Sequence, residues 1–142
     1  MTESGRIEYK RELTDNLEKE VVAFLNAREG GVIYLGLDDN GKVFGVNECD
    51  RVQLAVKDRL KNNIKPSIMG LFEIIVEERA GKNVICIIVA GGLEKPYYLK
   101  KFGMTEKGCY LRIGSAVEPM PKEMIESFYG KRVRNTILPL NN

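Results

Sequence analysis

The sequence contains no histidine and only three cysteines. Without histidine, no nucleophile can be activated by an imidazole, and no metal can be held by one. The cysteines Cys49, Cys86 and Cys109 are widely and irregularly spaced, which matches neither zinc-ligand pairs nor a disulfide framework. We therefore expect free thiols, and any catalysis must come from carboxylates, lysines, tyrosines or cysteines.

Long apolar segments are also absent. No run approaches the roughly 18 residues of a membrane span, and the first six residues lack the apolar core of a signal peptide. None of the three Gly-Lys pairs is followed by Ser or Thr, which argues against a P-loop for ATP. We expect a cytoplasmic protein with no membrane partner.

The composition is that of one globular domain. The 142 residues are 44% hydrophobic and 30% charged. The net charge of +2 is unevenly distributed, with −3 over residues 1–94 and +5 over residues 95–142. A basic C-terminal third is compatible with a polyanionic partner, and equally with a solvated face and a basic tail.

Apolar spacing predicts three helices, over about 15–28, 50–64 and 121–129, the first ended by Gly30 and Gly31. A type I′ turn at Asn40-Gly41 should join strands 32–37 and 42–46. Further strands are expected at 71–78, 84–89, 97–99 and 109–113. These elements predict an α+β fold: a mixed, largely antiparallel sheet built from hairpins, with about three helices packed on it. Residues 1–130 should form the domain, and 131–142 a basic linker or tail leading to further domains.

Five segments in order resemble the motifs of the Schlafen-type AlbA-like domain. They are the stretches Glu3–Lys10, Ala23–Gly31, Leu35–Val46, Lys95–Tyr98 and Tyr110–Ser115. The segment Ala23–Gly31 has one more residue before its two glycines than the family motif has. The resemblance covers about residues 3–129 and implies the Schlafen AlbA-like fold.

The resemblance also carries functional expectations. Bacterial members are described as DNA-binding domains or transcriptional regulators, and some as RecG-like helicases. In related vertebrate domains two glutamates of the opening motif and an aspartate of the hairpin cleave RNA, which maps onto Glu3, Glu8 and Asp39. The zinc ligands of those proteins include histidine, so that zinc site is absent or different here.

The opening motif is one candidate site. Glu8 and Lys10 are two residues apart, so in a strand their side chains share a face. With Glu3 and Asp39 nearby, three carboxylates could hold Mg²⁺ or Mn²⁺, and Lys10 could stabilise charge on a phosphate. Alternatively, Glu8 and Lys10 are exposed strand residues.

The second candidate site is basic. Cations neutralise phosphate, and aromatic rings stack on unpaired bases. Lys95, Lys100 and Lys101 should share one exposed loop region, and Arg112 is a candidate for burial against an acid such as Glu8 or Asp39. The full basic set is Lys95, Lys100, Lys101, Lys107 and Arg112.

Our leading hypothesis is a non-catalytic module that binds nucleic acid, DNA rather than RNA, at the N-terminus of a bacterial transcriptional regulator. Two alternatives remain open. One is a metal-dependent ribonuclease that uses the three carboxylates. The other is a protein-interaction module that forms a homodimer through exposed sheet edges.

Overall fold

A computed structural model describes residues 5–137, with side chains as far as Arg132. It confirms the predicted α+β class, with three helices and mostly antiparallel strands over the described part of the chain. The elements in chain order are β1 (Ile7–Lys10), α1 (Leu17–Asn26), β2 (Gly31–Leu35), α2 (Cys49–Asn63), β3 (Ile64–Lys65), β4 (Phe72–Arg79), β5 (Lys82–Val89), β6 (Tyr98–Leu99), β7 (Tyr110–Ile113), β8 (Ala116–Pro119) and α3 (Lys122–Ile137).

The main sheet has four strands in the order β1-β2-β5-β4. β1 runs parallel to β2, with α1 as the crossover between them, and the other pairings are antiparallel. Glu8 is opposite Ile33, and Lys10 is opposite Leu35. Glu8 and Lys10 therefore share a face with the buried Ile33 and Leu35, which pack in one cluster with residues of α1.

The larger core lies between this face of the sheet and the helices. Phe24 and Leu25 of α1, with Leu60 of α2, pack in one cluster with Ile33, Ile87 and other strand residues. Tyr9, Leu37 and Val84 form a smaller cluster. α1 is almost wholly buried from Glu20 to Asn26, so the few polar groups on it must find partners inside the protein.

The predicted hairpin at Asn40-Gly41 is wrong in its turn type and its return strand. Gly41 has positive φ, but Asn40 does not, so no type I′ turn forms there. Asp38 instead closes a three-residue loop, with its side chain accepting hydrogen bonds from the backbone N–H groups of Asn40 and Lys42. The return segment makes a single bridge, Leu37 to Val43. The turn with positive φ at both central residues is Ala80-Gly81, between β4 and β5.

The prediction that Gly30 and Gly31 end α1 is also wrong. The helix ends at Asn26, and Ala27 has extended backbone. The glycines permit close packing. A Cβ at Gly31 would lie 2.1 Å from the ring of Phe24, and one at Gly30 would lie 2.0 Å from the carbonyl oxygen of Val89. Only residues without a side chain fit between α1 and the end of β5.

The C-terminal region departs from expectation in two ways. β8, which pairs with β7, was not predicted. α3 runs on to Ile137 and not to about residue 129, so the first part of the expected linker is helical, while residues 138–142 lie outside the described part of the chain. Within residues 5–137, no helix is long and apolar enough to cross a membrane.

All three thiols are free, as expected. Cys109 is fully buried, and burial raises the pKa of its thiol to about 11, although Arg132 acts to lower it. The ordinary pKa of this thiol, which it has in the unfolded chain, is 9.0. Between those two values the folded chain keeps a proton that the unfolded chain loses, so the free energy of unfolding must fall as the pH rises.

We expect this group to reduce stability by about 2 kcal/mol between pH 8 and pH 11. Denaturant titrations across that range, for wild type and Cys109→Ala, measure it. The variant should lose less stability than wild type over the same interval. Parallel pH profiles for the two proteins would show that this thiol does not contribute.

Candidate functional site

Four charged side chains meet where β1, α1 and β7 come together; we call them the charge cluster. They are Glu8, Lys10, Glu20 and Arg112. The Lys10 ammonium lies 3.2 Å from Glu20 and 3.8 Å from Glu8, and the Arg112 guanidinium lies 3.7 Å from Glu8. The structure thus brings Glu8 and Lys10 together, and adds Glu20, which the sequence did not single out.

Arg112 is the most deeply buried member, with a side chain only 2% exposed. Its Nη2 donates to the carbonyl oxygen of Ile7 at 3.3 Å, and its guanidinium lies 4.7 Å from the ring centre of Phe24. Of the two acids proposed to accompany it, the structure places Glu8 there. In this position Arg112 ties β7 to β1 and supplies a buried positive charge.

The charge cluster is balanced, with two carboxylates and two cations. A divalent metal would have to displace Lys10 from Glu8 and Glu20 before it could bind them. Asp39 is exposed in the loop after β2, and Glu3 lies outside the described residues. Among the described residues, no three Asp, Glu, Cys or His side chains are close enough to hold a metal ion together. The described carboxylates therefore do not fit Mg²⁺ or Mn²⁺.

Apart from the charge cluster, the structure has a cleft of about 950 Å³ beside α1, the end of α2 and the loop after β6. We call it the lysine cleft. Its basic lining residues are Lys19, Arg59, Lys100 and Lys101, against two acids, Asp15 and Glu18. Lys19 also lines the smaller cleft over the charge cluster, so the two sites adjoin.

One of the two acids is already neutralised. Glu18 accepts hydrogen bonds from the Arg59 guanidinium and, at 2.8 Å, from the Asn63 amide. Burial raises the pKa of Glu18, but these hydrogen bonds outweigh it and hold the pKa below its usual value. By contrast, Lys100 and Lys101 are exposed, and no described carboxylate lies within 4.0 Å of either ammonium. Their charges face solvent.

The remaining predicted cations lie elsewhere. Lys95 is half-buried, 6.0 Å from the ring centre of Phe128 in α3, and does not line the lysine cleft. Burial, followed by the charge of Arg28, lowers the pKa of Lys95. Lys107 is exposed. The structure therefore has Lys95 half-buried and outside the lysine cleft, whereas the sequence grouped it with Lys100 and Lys101 as exposed.

Sequence reasoning missed Lys19, Glu20 and Arg59. Lys19 and Arg59 look like ordinary solvated helix residues, since nothing local shows that α1 and α2 meet the loop after β6. Glu20 did carry a signal. It lies three residues after Leu17 and four before Phe24, and therefore on their apolar face of the helix, where a buried acid needs a cation.

Comparison with known proteins bears on this arrangement. The family model described as Schlafen, AlbA_2 matches residues 3–121. No curated protein matches the chain. Among solved structures, the N-terminal domain of a RecG-related protein from Nitrosomonas europaea is 28% identical, with a TM-score of 0.62, over 85% of this chain and 86% of that one.

The DIP2311 protein from Corynebacterium diphtheriae shares the fold, with a TM-score of 0.64 at 17% identity. The match covers 87% of this chain but only 23% of that protein. The chain thus spans about a quarter of the DIP2311 protein.

Proposed function

The chain belongs to the Schlafen AlbA_2 family, and on that premise we propose that it is a nucleic-acid-binding domain. The observation that carries the proposal is the lysine cleft, where Lys100 and Lys101 present two charges that no described carboxylate neutralises. The lining has four cations against two acids, one of which is bound by Arg59, and this excess of positive charge in a concave surface favours an anionic ligand. Phosphodiester backbones have that chemistry.

We further propose that the natural ligand is DNA, and that the domain belongs to a bacterial transcriptional regulator. The Nitrosomonas europaea neighbour is described as related to an ATP-dependent DNA helicase, RecG, which supports a role on DNA. Phosphate contacts dominate such binding and carry no sequence information. We therefore expect weak, salt-dependent binding with little sequence preference.

Replacing Lys95, Lys100 and Lys101 together by Gln should lower the salt slope of DNA binding by up to about three units, near 0.9 for each lost phosphate contact on duplex. We expect about two of those units to come from Lys100 and Lys101, because Lys95 is half-buried beside Phe128. Fluorescence anisotropy of a labelled duplex at several salt concentrations measures the slope. Stability should change by less than about 0.5 kcal/mol.

The matched control neutralises two exposed lysines that do not line the cleft, Lys57 and Lys122. That double variant should keep a slope close to that of wild type. If the triple variant also keeps the salt slope of wild type, the segment that carries Lys95, Lys100 and Lys101 is only a solvated surface. The next candidates would then be Lys131 and Arg134, because Arg132 is engaged with the carbonyl oxygens of Glu94 and Pro96.

The ribonuclease alternative now depends on Glu3, because the charge cluster is balanced without a metal. Incubating the protein with structured RNA and Mn²⁺, wild type against Glu8→Ala, separates the two functions. Cleavage by wild type that is lost in Glu8→Ala, while the variant keeps the circular dichroism spectrum of the folded protein, would favour the enzyme. A wild type that binds without cleaving would favour the binding module.

The interaction alternative has one supporting observation. β4 is an edge of the main sheet and exposes Ile75 and Val76. However, antiparallel pairing of two β4 strands centred on these residues would bring Glu73 opposite Glu78 of the second copy, and facing like charges are destabilising. Sedimentation at several concentrations tests this alternative, and a monomer throughout would remove it.

A further inference from the structure

We propose that the lysine cleft holds an unpaired nucleotide, with its base stacked on Phe102 and its flanking phosphates on Lys100 and Lys101. This inference rests on the proposed function and deepens it, because it names single-stranded nucleic acid as the preferred ligand. The shared chemistry is a phosphodiester next to an open base face, which both single-stranded DNA and RNA supply.

Phe102 is an exposed aromatic residue beside a cation. Its side chain lines the lysine cleft and is 42% exposed, although the fold has buried clusters available to aromatic residues. An exposed phenylalanine does not gain the free energy that burial of its ring would give. An exposed aromatic ring next to cations is the arrangement by which proteins bind single strands, because bases stack on the ring and phosphates contact the cations. The Lys101 ammonium lies 5.4 Å from the centre of the Phe102 ring.

The loop that carries Lys100, Lys101 and Phe102 is held in place by hydrogen bonds. The N–H groups of Phe102 and Gly103 both donate to the Leu99 carbonyl oxygen, and Thr105 donates its hydroxyl to the carbonyl oxygen of Phe102. Lys100 donates its N–H to the carbonyl oxygen of Asn63, which fixes the loop to the end of α2. A fixed loop presents its ring and cations without a large ordering cost on binding.

Other residues of the lysine cleft offer chemistry that suits a base and a phosphate. Asn62 is exposed and lines the lysine cleft, and its side-chain amide offers both a donor and an acceptor to a base edge. The positive charge of Arg59 is largely neutralised by Glu18, so Arg59 attracts a phosphate less strongly than Lys100 or Lys101 does. Lys19 extends the basic surface towards the charge cluster. In duplex DNA the base faces are covered by their neighbours and cannot reach Phe102. A single strand can use both the ring and the cations.

The experiment compares anisotropy titrations of labelled dT15, U15 and a 15-base-pair duplex at low salt. We expect wild type to bind a single strand, dT15 or U15, more tightly than duplex. Phe102→Leu should weaken binding of that strand about 5- to 150-fold and leave duplex binding nearly unchanged. A strand with one 2-aminopurine should lose fluorescence on binding wild type and keep it with Phe102→Leu.

The matched control is Phe44→Leu. Phe44 is also an exposed phenylalanine beside cations, with the Arg11 guanidinium 3.9 Å from its ring centre, but it lies outside the lysine cleft. This variant should bind single strands as wild type does. A loss confined to Phe44→Leu would overturn the assignment to the lysine cleft.

Two other outcomes separate the inference from the proposed function. Binding that depends on Lys100 and Lys101 but is equal for single strand and duplex, and unchanged by Phe102→Leu, would overturn the inference and leave the proposed function standing. No binding of any probe at low salt would overturn both.

Discussion

Arg112→Gln should destabilise the fold by about 3–5 kcal/mol, because it leaves an excess of buried negative charge. Glu8 and Glu20, with side chains 10% and 5% exposed, would then share Lys10 as the one remaining cation of the charge cluster. The hydrogen bond from the guanidinium to the Ile7 carbonyl oxygen would also be lost. Urea titration of wild type and variant measures the difference in the free energy of unfolding.

A second substitution tests the cause. Glu8→Gln in the Arg112→Gln background removes one of the two carboxylates and should restore part of the lost stability. The four proteins form a double-mutant cycle, from which the coupling between Glu8 and Arg112 is obtained. A loss below about 1 kcal/mol in Arg112→Gln, or strictly additive effects, would show that the pair does not matter for stability.

Asn26→Ala should have an effect of similar size, about 3–5 kcal/mol, because one side chain satisfies three backbone groups. The Asn26 amide nitrogen donates to the carbonyl oxygens of Tyr97 at 3.1 Å and Tyr110 at 2.9 Å, and its oxygen accepts from the Tyr97 N–H at 2.7 Å. Asn26 is 6% exposed, so little water can replace those bonds. The substitution would loosen the attachment of α1 to β6 and β7.

Asn26→Asp refines this expectation. It keeps the acceptor for the Tyr97 N–H but turns an oxygen towards two carbonyl oxygens, so it should also destabilise strongly. Asn47→Ala is the matched control, since Asn47 is exposed, and its effect should stay below about 0.5 kcal/mol. If Asn26→Ala were as mild as this control, the three hydrogen bonds would not stabilise the fold.

The sequence predicted those features that depend on local pattern. α1, α2, β2 and the β4-β5 pair lie close to their predicted positions, because the spacing of apolar residues records which face is buried. Turn type was less predictable. The Asn40-Gly41 pair has the residues that a type I′ turn favours, but the Asp38 carboxylate binds the backbone of that loop and selects a different geometry.

Features set by tertiary contact could not be predicted. Gly30 and Gly31 looked like a helix end, whereas their absent side chains make room for Phe24 and Val89. Among site residues, Glu8 and Lys10 share a face because strand alternation is local. The position of Glu20 on the apolar face of α1 was visible in the sequence, but its contact with Lys10 depends on how α1 packs on β1. The half-burial of Lys95 likewise depends on its contact with Phe128 of α3.

The most direct test of the central claim is the affinity of the wild-type protein for labelled DNA at 50 mM and 200 mM salt. With three or four phosphate contacts in the lysine cleft, affinity for duplex should fall by about 40- to 150-fold between these concentrations. Binding should therefore be measurable at the lower salt concentration and should fall steeply at the higher one. Absence of binding to both duplex and single-stranded DNA at 50 mM salt would contradict it.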